Sequence, residues 1–481
     1  MEHIRYLLAE YWPHMIFGFT VCASTVAVIH AAMTKHDVRA AIGWVGVVLF
    51  SPLIGALLYF VAGVNRIRQA GVTLDRSEHA PEQPAALLPD RIDVSVASGP
   101  QFASLKTLGD HVSLFPLVDG NAVQPLAGGD ETYPAMIAAI NEAQHAIALQ
   151  TYIFDRDPVG RELAQALVDA RARGVEVRVL IDAIGAKYSR PPITGVLARG
   201  QVPTALFMSS GLGLRVAYAN LRSHRKILVV DGRIGFTGGM NIRAAFTTRD
   251  DRDALRDTHF RLEGPVVAQL AASFAHDWEF TTRERLDSAA WRAGPHAPGK
   301  VPARCVLSGP DKTISSTHDM LMGALAVAQH NVRIQSPYFL PDVALVAALA
   351  TAARRGVQVD IVIPGKNNLR LVSYAMTAQL DQVVRTGCRV WVADGPFDHS
   401  KLITVDGAWS YVGSSNLDPR SLRLNFELDL ELYDKELAGW VEHRIDALIA
   451  TARRETLDRL RSMAFVRRLR NRVIWLASPY L

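Results

Sequence analysis

A nine-residue stretch, Ser223-His224-Arg225-Lys226-Ile227-Leu228-Val229-Val230-Asp231, returns later in the chain as Asp398-His399-Ser400-Lys401-Leu402-Ile403-Thr404-Val405-Asp406. Both copies fit His-x-Lys-x4-Asp. Each is followed at the same distance by a small-residue turn ending in Asn, Gly238-Gly239-Met240-Asn241 and Gly413-Ser414-Ser415-Asn416. A lone His-x-Lys is usually a solvated strand end. Agreement at His, Lys, Asp, Gly and Asn, with one offset of 175 residues, marks a duplication. Each half then presents the same strand end, and a pseudo-two-fold relation would bring the two ends to one place.

The flanks repeat as well. Met136–His145 reads as a helix, Ile147–Phe154 as a strand, Gly160–Arg173 as a helix and Val175–Asp182 as a buried strand. Met320–His330, Val332–Tyr338, Val343–Arg355 and Val357–Pro364 follow in the same order. Local identities align them: Gln144-His145 with Gln329-His330, Gln150 with Gln335, and Arg173-Gly174-Val175 with Arg355-Gly356-Val357. Strands alternating with helices predict an α/β protein in which each half is a largely parallel or mixed sheet between helices. The expected division is 112–295 for the first half, 296–450 for the second and 451–481 for a basic amphipathic tail.

Two apolar runs precede this body. Met15–Met33 has no acidic or basic residue except His30, and Ala40–Val64 has none. Each is long enough for a helix that crosses a bilayer, at about 20 residues per crossing. The expectation is a two-helix transmembrane hairpin over 1–68, followed by a linker over 69–111 rich in proline between Asp75 and Arg91. Arg66, Arg68 and Arg76 after the second run, against Lys35 and Arg39 in the turn, put both termini and the catalytic part in the cytoplasm. The margin of that charge bias is thin.

Charge narrows the partners. Residues 451–481 hold eight Arg against Glu455 and Asp458, more than the whole-chain net charge of +5, so the remainder is close to neutral. Strand-tracking nucleic-acid binding calls for a basic groove with stacking aromatics, and this body has no such charge. The tail segment Phe465–Leu476 mixes Arg with large apolar residues, as does a helix lying on an anionic membrane surface. A terminal helix packed on the core is the competing reading. Between Ala183 and Leu221, Pro191-Pro192, Phe207-Met208 and Leu212-Gly213-Leu214 read either as a surface excursion or as an apolar rim for acyl chains. Three distant cysteines, Cys22, Cys305 and Cys388, imply neither a disulfide framework nor a zinc site.

The duplicated set suits one phosphodiester. Two lysines, Lys226 and Lys401, neutralise its non-bridging oxygens, and the amides of Asn241 and Asn416 donate hydrogen bonds to it. One imidazole attacks phosphorus and the other, protonated, serves the departing alkoxide. No metal or other cofactor is required by this scheme. Asp231 and Asp406 complete the motif and are counted with its catalytic set, although bracing the motif strand suits them better than touching substrate.

The paired motifs resemble those of the phospholipase D superfamily. With the N-terminal hairpin, the whole chain resembles the bacterial cardiolipin synthases of that superfamily. The match includes Trp44, Pro52, Gly55, Tyr59 and Gly63, the run Tyr152 to Gly160, and Asn416-Leu417-Asp418-Pro419-Arg420-Ser421 through Asn425-Phe426-Glu427. The resemblance implies two phospholipase D-like halves forming one catalytic unit in the bacterial inner membrane. It implies His224 as nucleophile and His399 as general acid and base, with Asp257 and Glu427 as carboxylates on the far nitrogen of an imidazole. It further implies phosphatidyl transfer between two phosphatidylglycerol molecules to give cardiolipin and glycerol. One departure is Gly239, where the family often has Ser; its partner Ser414 is present. A phospholipase D that uses water, a membrane-tethered nuclease and a non-catalytic scaffold remain as alternatives.

Overall fold

The computed structural model describes residues 2–35, 37–63, 92–208, 221–248, 254–291 and 296–478. It comprises two units, 1–68 and 69–481.

In the first unit, helix α1 (Glu2–Thr34) contains one segment, Tyr11–Thr34, long and apolar enough to cross a membrane. The second apolar run differs from the expected single crossing. It forms α2 (Val38–Phe50), breaks at Ser51, and resumes as α3 (Pro52–Leu58) with a terminal π-turn, Tyr59–Gly63. Pro52 lacks an amide hydrogen and starts a helix well, so it opens α3 and does not continue α2. The two pieces fold back on each other: the rings of Trp44 and Tyr59 lie 5.4 Å apart. A Cβ on Gly55 would fall 2.3 Å from the Val47 carbonyl oxygen, so the crossing requires glycine. The Ser24 hydroxyl donates to the Pro52 carbonyl at 3.0 Å, His30 Nδ1 bonds the Tyr59 hydroxyl at 2.7 Å, and Lys35 Nζ reaches the Gly63 carbonyl. The run therefore leaves the end of α1, reaches its middle and returns. At 1.5 Å per residue, α2 is about 20 Å long, short of a bilayer's hydrocarbon thickness.

The second unit is built on one sixteen-stranded mixed sheet. The first half supplies β1 (Val118–Ala127), β2 (Ala146–Thr151), β3 (Glu176–Asp182), β4 (Thr204–Phe207), β5 (Arg222–Ser223), β6 (Ile227–Val230), β7 (Ile234–Gly238) and β8 (Thr258–Glu263). The second supplies β9 (Val301–Ser308), β10 (Asn331–Gln335), β11 (Gln358–Pro364), β12 (Arg389–Ala393), β13 (Leu402–Val405), β14 (Trp409–Gly413), β15 (Asn425–Tyr433) and β16 (Arg453–Glu455). Outward from the antiparallel β1–β9 seam the orders are β1-β8-β7-β6-β2-β3-β4 and β9-β15-β14-β13-β10-β11-β12-β16. The strands match one for one until β16, so the expected duplication is a two-fold relation about that seam. The motif strands β6 and β13 are buried at every residue, and helices pack over them in two apolar cores. The repeated helices, Gly129–Glu142 with Pro158–Ala172 and Ser316–Val327 with Val343–Arg354, lie close to their expected positions.

Two boundaries change. Residues 64–91, with the proline-rich segment, lie outside the described residues, but the rest of the expected linker is folded. Helices Val94–Ser98 and Phe102–Val112 bury Val94, Phe102 and Leu105 in the second-half core, because their apolar residues fall on one face. The basic tail likewise begins as structure. Its first residues form edge strand β16 against β12, and helix Phe465–Leu476 packs on helix Arg370–Val384.

Candidate active site

Each motif ends in a hairpin whose turn is Asp-Gly. Asp231 and Gly232 have φ of 51° and 61°, and Asp406 and Gly407 have 52° and 59°, the left-handed pair that a tight two-residue turn demands. The Asp231 carboxylate accepts from the amides of Gln144, His145 and Ala146 at 2.8–2.9 Å. Asp406 accepts from Gln329, His330 and Asn331 at 2.7–2.9 Å. At about 3.3 Å per residue these carboxylates lie roughly 20 Å along the strand from their histidines. Counting Asp231 and Asp406 as catalytic is therefore corrected: they tie the motif hairpin to the start of β2 or β10.

At the other end of each motif, the halves hold one another. Short parallel pairings join β5 to Asn425-Phe426 and Arg256 to Asp398. Through them the His224 amide donates to the Phe426 carbonyl at 2.8 Å, and the His399 amide to the Arg256 carbonyl at 2.7 Å. Those acceptors immediately precede Glu427 and Asp257, so each carboxylate meets the opposite half's imidazole. His224 Nδ1 lies 2.8 Å from Glu427 Oε2, and His399 Nδ1 lies 2.8 Å from Asp257 Oδ2. A carboxylate accepts only, so Nδ1 carries the hydrogen and Nε2 is left for chemistry. The two rings face each other with centroids 6.5 Å apart at 77°.

Around this pair the structure gathers most of the expected set. Asn241 and Asn416 line the same pocket as both histidines. Asn241 uses its carbonyl oxygen on the Ile153 amide at 3.1 Å, and Asn416 Nδ2 lies 3.3 Å from the Ser421 hydroxyl. The lysines are placed differently from expectation. They are buried beneath the histidines, off the pocket wall, with Lys226 Nζ donating to the His224 carbonyl at 2.6 Å and Lys401 Nζ to that of His399. Lys401 also lies 3.0 Å from His399 Nε2.

Burial controls the titration of these groups. It pushes Lys226 down to about 7 and Lys401 to about 8, against the pull of Asp257 and Glu427. Burial, with the neighbouring lysine charge, also drives His399 down to about 4 and His224 well below its ordinary range. Burial raises Glu427, resisted by Lys226. Asp257 goes the other way: burial is outweighed by the Lys401 charge and the His399 hydrogen bond, and it stays below the carboxylate range.

The halves differ at the residue after the first turn glycine. Ser414 donates its hydroxyl to Glu427 at 2.6 Å, so it braces the carboxylate. Its counterpart Gly239 has no room to do so, since a Cβ there would fall 2.3 Å from Asp257 Oδ1.

Sequence reasoning missed several residues. The rings of Tyr152 and Tyr338 lie 5.5 Å from His224 and 6.0 Å from His399. Arg225 is fully buried, pairs with Asp277 at 2.9 Å and donates to the Glu427 carbonyl at 3.1 Å. Arg225 stands between His224 and Lys226 in the link from β5 to β6, where the sequence gives no sign that it is buried. Arg222, Arg243 and Arg420 also line the pocket. Among the described residues of the suspected apolar excursion, Tyr188 alone does; Phe207 is in the core, and Leu212-Gly213-Leu214 lie outside the described residues. The apolar wall comes mainly from Phe246, Leu255, Leu340, Leu369, Val372 and Phe397.

A duplicated sheet that joins two such motifs into one site defines a phospholipase D-like protein. The chain belongs to the cardiolipin synthase family within that group. A family model described as cardiolipin synthase, PLD-like domain, matches residues 136–278 and 321–449, and a phospholipase D-nuclease N-terminal model matches 22–63. The chain is 33% identical over 488 residues to cardiolipin synthase A of Pseudomonas fluorescens, covering 98% of this chain and 100% of that one. It is 34% identical over 460 residues to cardiolipin synthase A of Pseudomonas aeruginosa, covering 95% and 94%. Among solved structures, phosphatidylserine synthase of Haemophilus influenzae matches 79% of this chain and 100% of its own, with a TM-score of 0.59 at 16% identity, which is likeness of fold.

Proposed function

We propose that this phosphatidyltransferase exchanges a phosphatidyl group between two phosphatidylglycerol molecules, giving cardiolipin and glycerol. The facing pair His224 and His399, each held at Nδ1 by the other half's carboxylate, carries the reading. Nε2 of His224 attacks phosphorus of the first lipid, and the bond from phosphorus to the glycerol oxygen breaks. The charge of the bound phosphodiester favours the imidazolium form of His399, which gives its proton to that oxygen, and glycerol leaves. Neutral His399 then takes the proton of the second lipid's terminal hydroxyl, whose oxygen attacks the phospho-His224 and frees the imidazole. One phosphodiester replaces another, so no activated donor is consumed. Lys226 and Lys401 supply positive charge from beneath the site, and Asn241 and Asn416 donate to the non-bridging oxygens.

Arg222 and Arg420, with Arg243 beside them paired to Asp155 at 2.6 Å, support an anionic lipid, in place of water, as acceptor. One phosphodiester is already served by two lysines and two amides, and a second phosphate needs cations of its own. Purified full-length protein given labelled phosphatidylglycerol should yield cardiolipin and glycerol in equal amounts. Phosphatidic acid as the main product would assign the water-using reaction instead.

The span-length α1 supports an integral membrane protein, and the near-neutral body speaks against a nucleic-acid partner. The folded-back second run changes the reading of topology. Among the described residues, Lys35 and Arg39 follow α1 without a further crossing, so their charges add on one face. The positive-inside bias then favours a cytoplasmic catalytic part with the N-terminus on the opposite face.

A further inference from the structure

Helix Phe465–Leu476 has two faces that both look like insides. Asn471 is buried on helix Arg370–Val384, Ile474 and Trp475 pack against the second-half core, and the Arg470 guanidinium lies 3.6 Å from the centroid of Tyr374. That settles the competing reading of the tail: the helix is docked. Yet Phe465, Val466, Leu469, Val473 and Leu476 are between 51% and 74% exposed. At 3.6 residues per turn these five fall within an arc of about 100° on the side opposite Asn471, Ile474 and Trp475. Arg468 and Arg472 flank the arc on one side and Arg470 on the other, with Arg467 beyond it.

The stripe also has a place relative to the site. Ser478, just past the helix, lines the catalytic pocket, as does Leu369 at the start of the helix beneath. Leu369 and Leu371 are about half exposed. Exposed apolar residues therefore stand both on the last helix and, at Leu369, on the edge of the pocket.

We propose that this stripe is the surface by which the catalytic unit lies on an anionic phospholipid bilayer, seating the pocket mouth at the headgroup level. Apolar side chains flanked by arginines suit a helix at the boundary of headgroups and acyl chains. A second copy suits the stripe less well, because a two-fold contact would bring the exposed Arg467 and Arg468 of both copies together, beside Arg470, which stacks on Tyr374, and Arg472, which reaches Asp381 at 3.7 Å. The inference rests on the surface alone and does not require the phospho-histidine chemistry.

The test uses the full chain in nanodiscs. On a Cys22→Ser background, Leu469→Cys carries an environment-sensitive fluorophore. In phosphatidylglycerol-containing discs its emission should shift to the blue and be quenched by lipids brominated near the headgroup. The shift should weaken with salt and in phosphatidylcholine discs. Leu469→Glu with Val473→Glu should raise KM for disc-embedded phosphatidylglycerol roughly tenfold, the effect of about 1.4 kcal/mol. The same variant should leave turnover of a short-chain soluble diester unchanged. If both substrates are lost together, misfolding is the cause, and the label alone decides. A label that stays water-like in anionic discs overturns the proposal. So does Leu469-dependent crosslinking between copies, which would assign the stripe to a dimer.

Discussion

Glu427 of the second half lies 2.8 Å from Nδ1 of His224 in the first, and Asp257 of the first half stands in the same relation to His399. Neither half thus has a complete histidine of its own, and the two carboxylates report on different steps. Glu427→Gln should slow formation of the covalent lipid adduct by about a hundred- to ten-thousandfold, whatever the leaving group. Asp257→Asn should cost a similar factor with phosphatidylglycerol but much less with a p-nitrophenyl phosphodiester lipid, which needs little protonation. Acid-labile, base-stable label retained on denatured protein is the readout. Rescue of Glu427→Gln but not of Asp257→Asn by the activated substrate would reverse the roles of the histidines.

The lysines should matter without a metal. Lys226→Ala or Lys401→Ala should lower kcat/KM about a hundred- to a thousandfold, while circular dichroism and thermal unfolding show a folded protein. EDTA should leave the parent activity unchanged. Inhibition by chelator, restored by one divalent ion, would show that the positive charge comes from elsewhere.

The pH profile follows from the same lysines. Burial holds Lys226 near 7 and Lys401 near 8, and only the protonated amine neutralises phosphate. As pH rises through those values the charge is lost, so kcat/KM, which reports the free enzyme, should fall between about pH 7 and 9. A bound anion favours the ammonium form, so the alkaline limb of kcat should lie at higher pH than that of kcat/KM. Coincident limbs, or one near the ordinary lysine value, would place the charged groups outside the buried site.

Gly239 and Ser414 form a matched contrast. Gly239→Ser should displace Asp257 from His399 and lower kcat, because the new Cβ meets the carboxylate. Adding Asp257→Glu moves that contact to the pattern of Ser414 with Glu427, and the double variant should recover part of the loss. Additive losses across the four proteins would mean that the two positions are not coupled.

The duplication made much of this visible beforehand. Paired His, Lys and Asn were legible because they recur at one offset, whereas Asp257 and Glu427, at different distances from their histidines, were legible only through the family resemblance. The exchange of carboxylates between halves was not legible, since it depends on a two-residue strand pairing at Arg222-Ser223 and a single bridge between Arg256 and Asp398. Composition also hid the break at Ser51, because a proline within an apolar run reads alike whether the helix bends slightly or turns back. The helix Phe102–Val112 was hidden for a related reason: its apolar face becomes apparent only beside Ser316–Val327, some 200 residues away.

The fold-back of the second apolar run has one more consequence. With α1 as the single crossing, a tag before Glu2 should be reached by protease in intact spheroplasts while sites after Gly63 are protected. Equal protection of both would restore a two-crossing hairpin. With the single crossing and the cytoplasmic site proposed above, donor and acceptor lipids would both be drawn from the cytoplasmic leaflet. Four acyl chains enter the reaction and four remain in the product, so that leaflet keeps its hydrocarbon while the cytosol gains a free glycerol at each turnover.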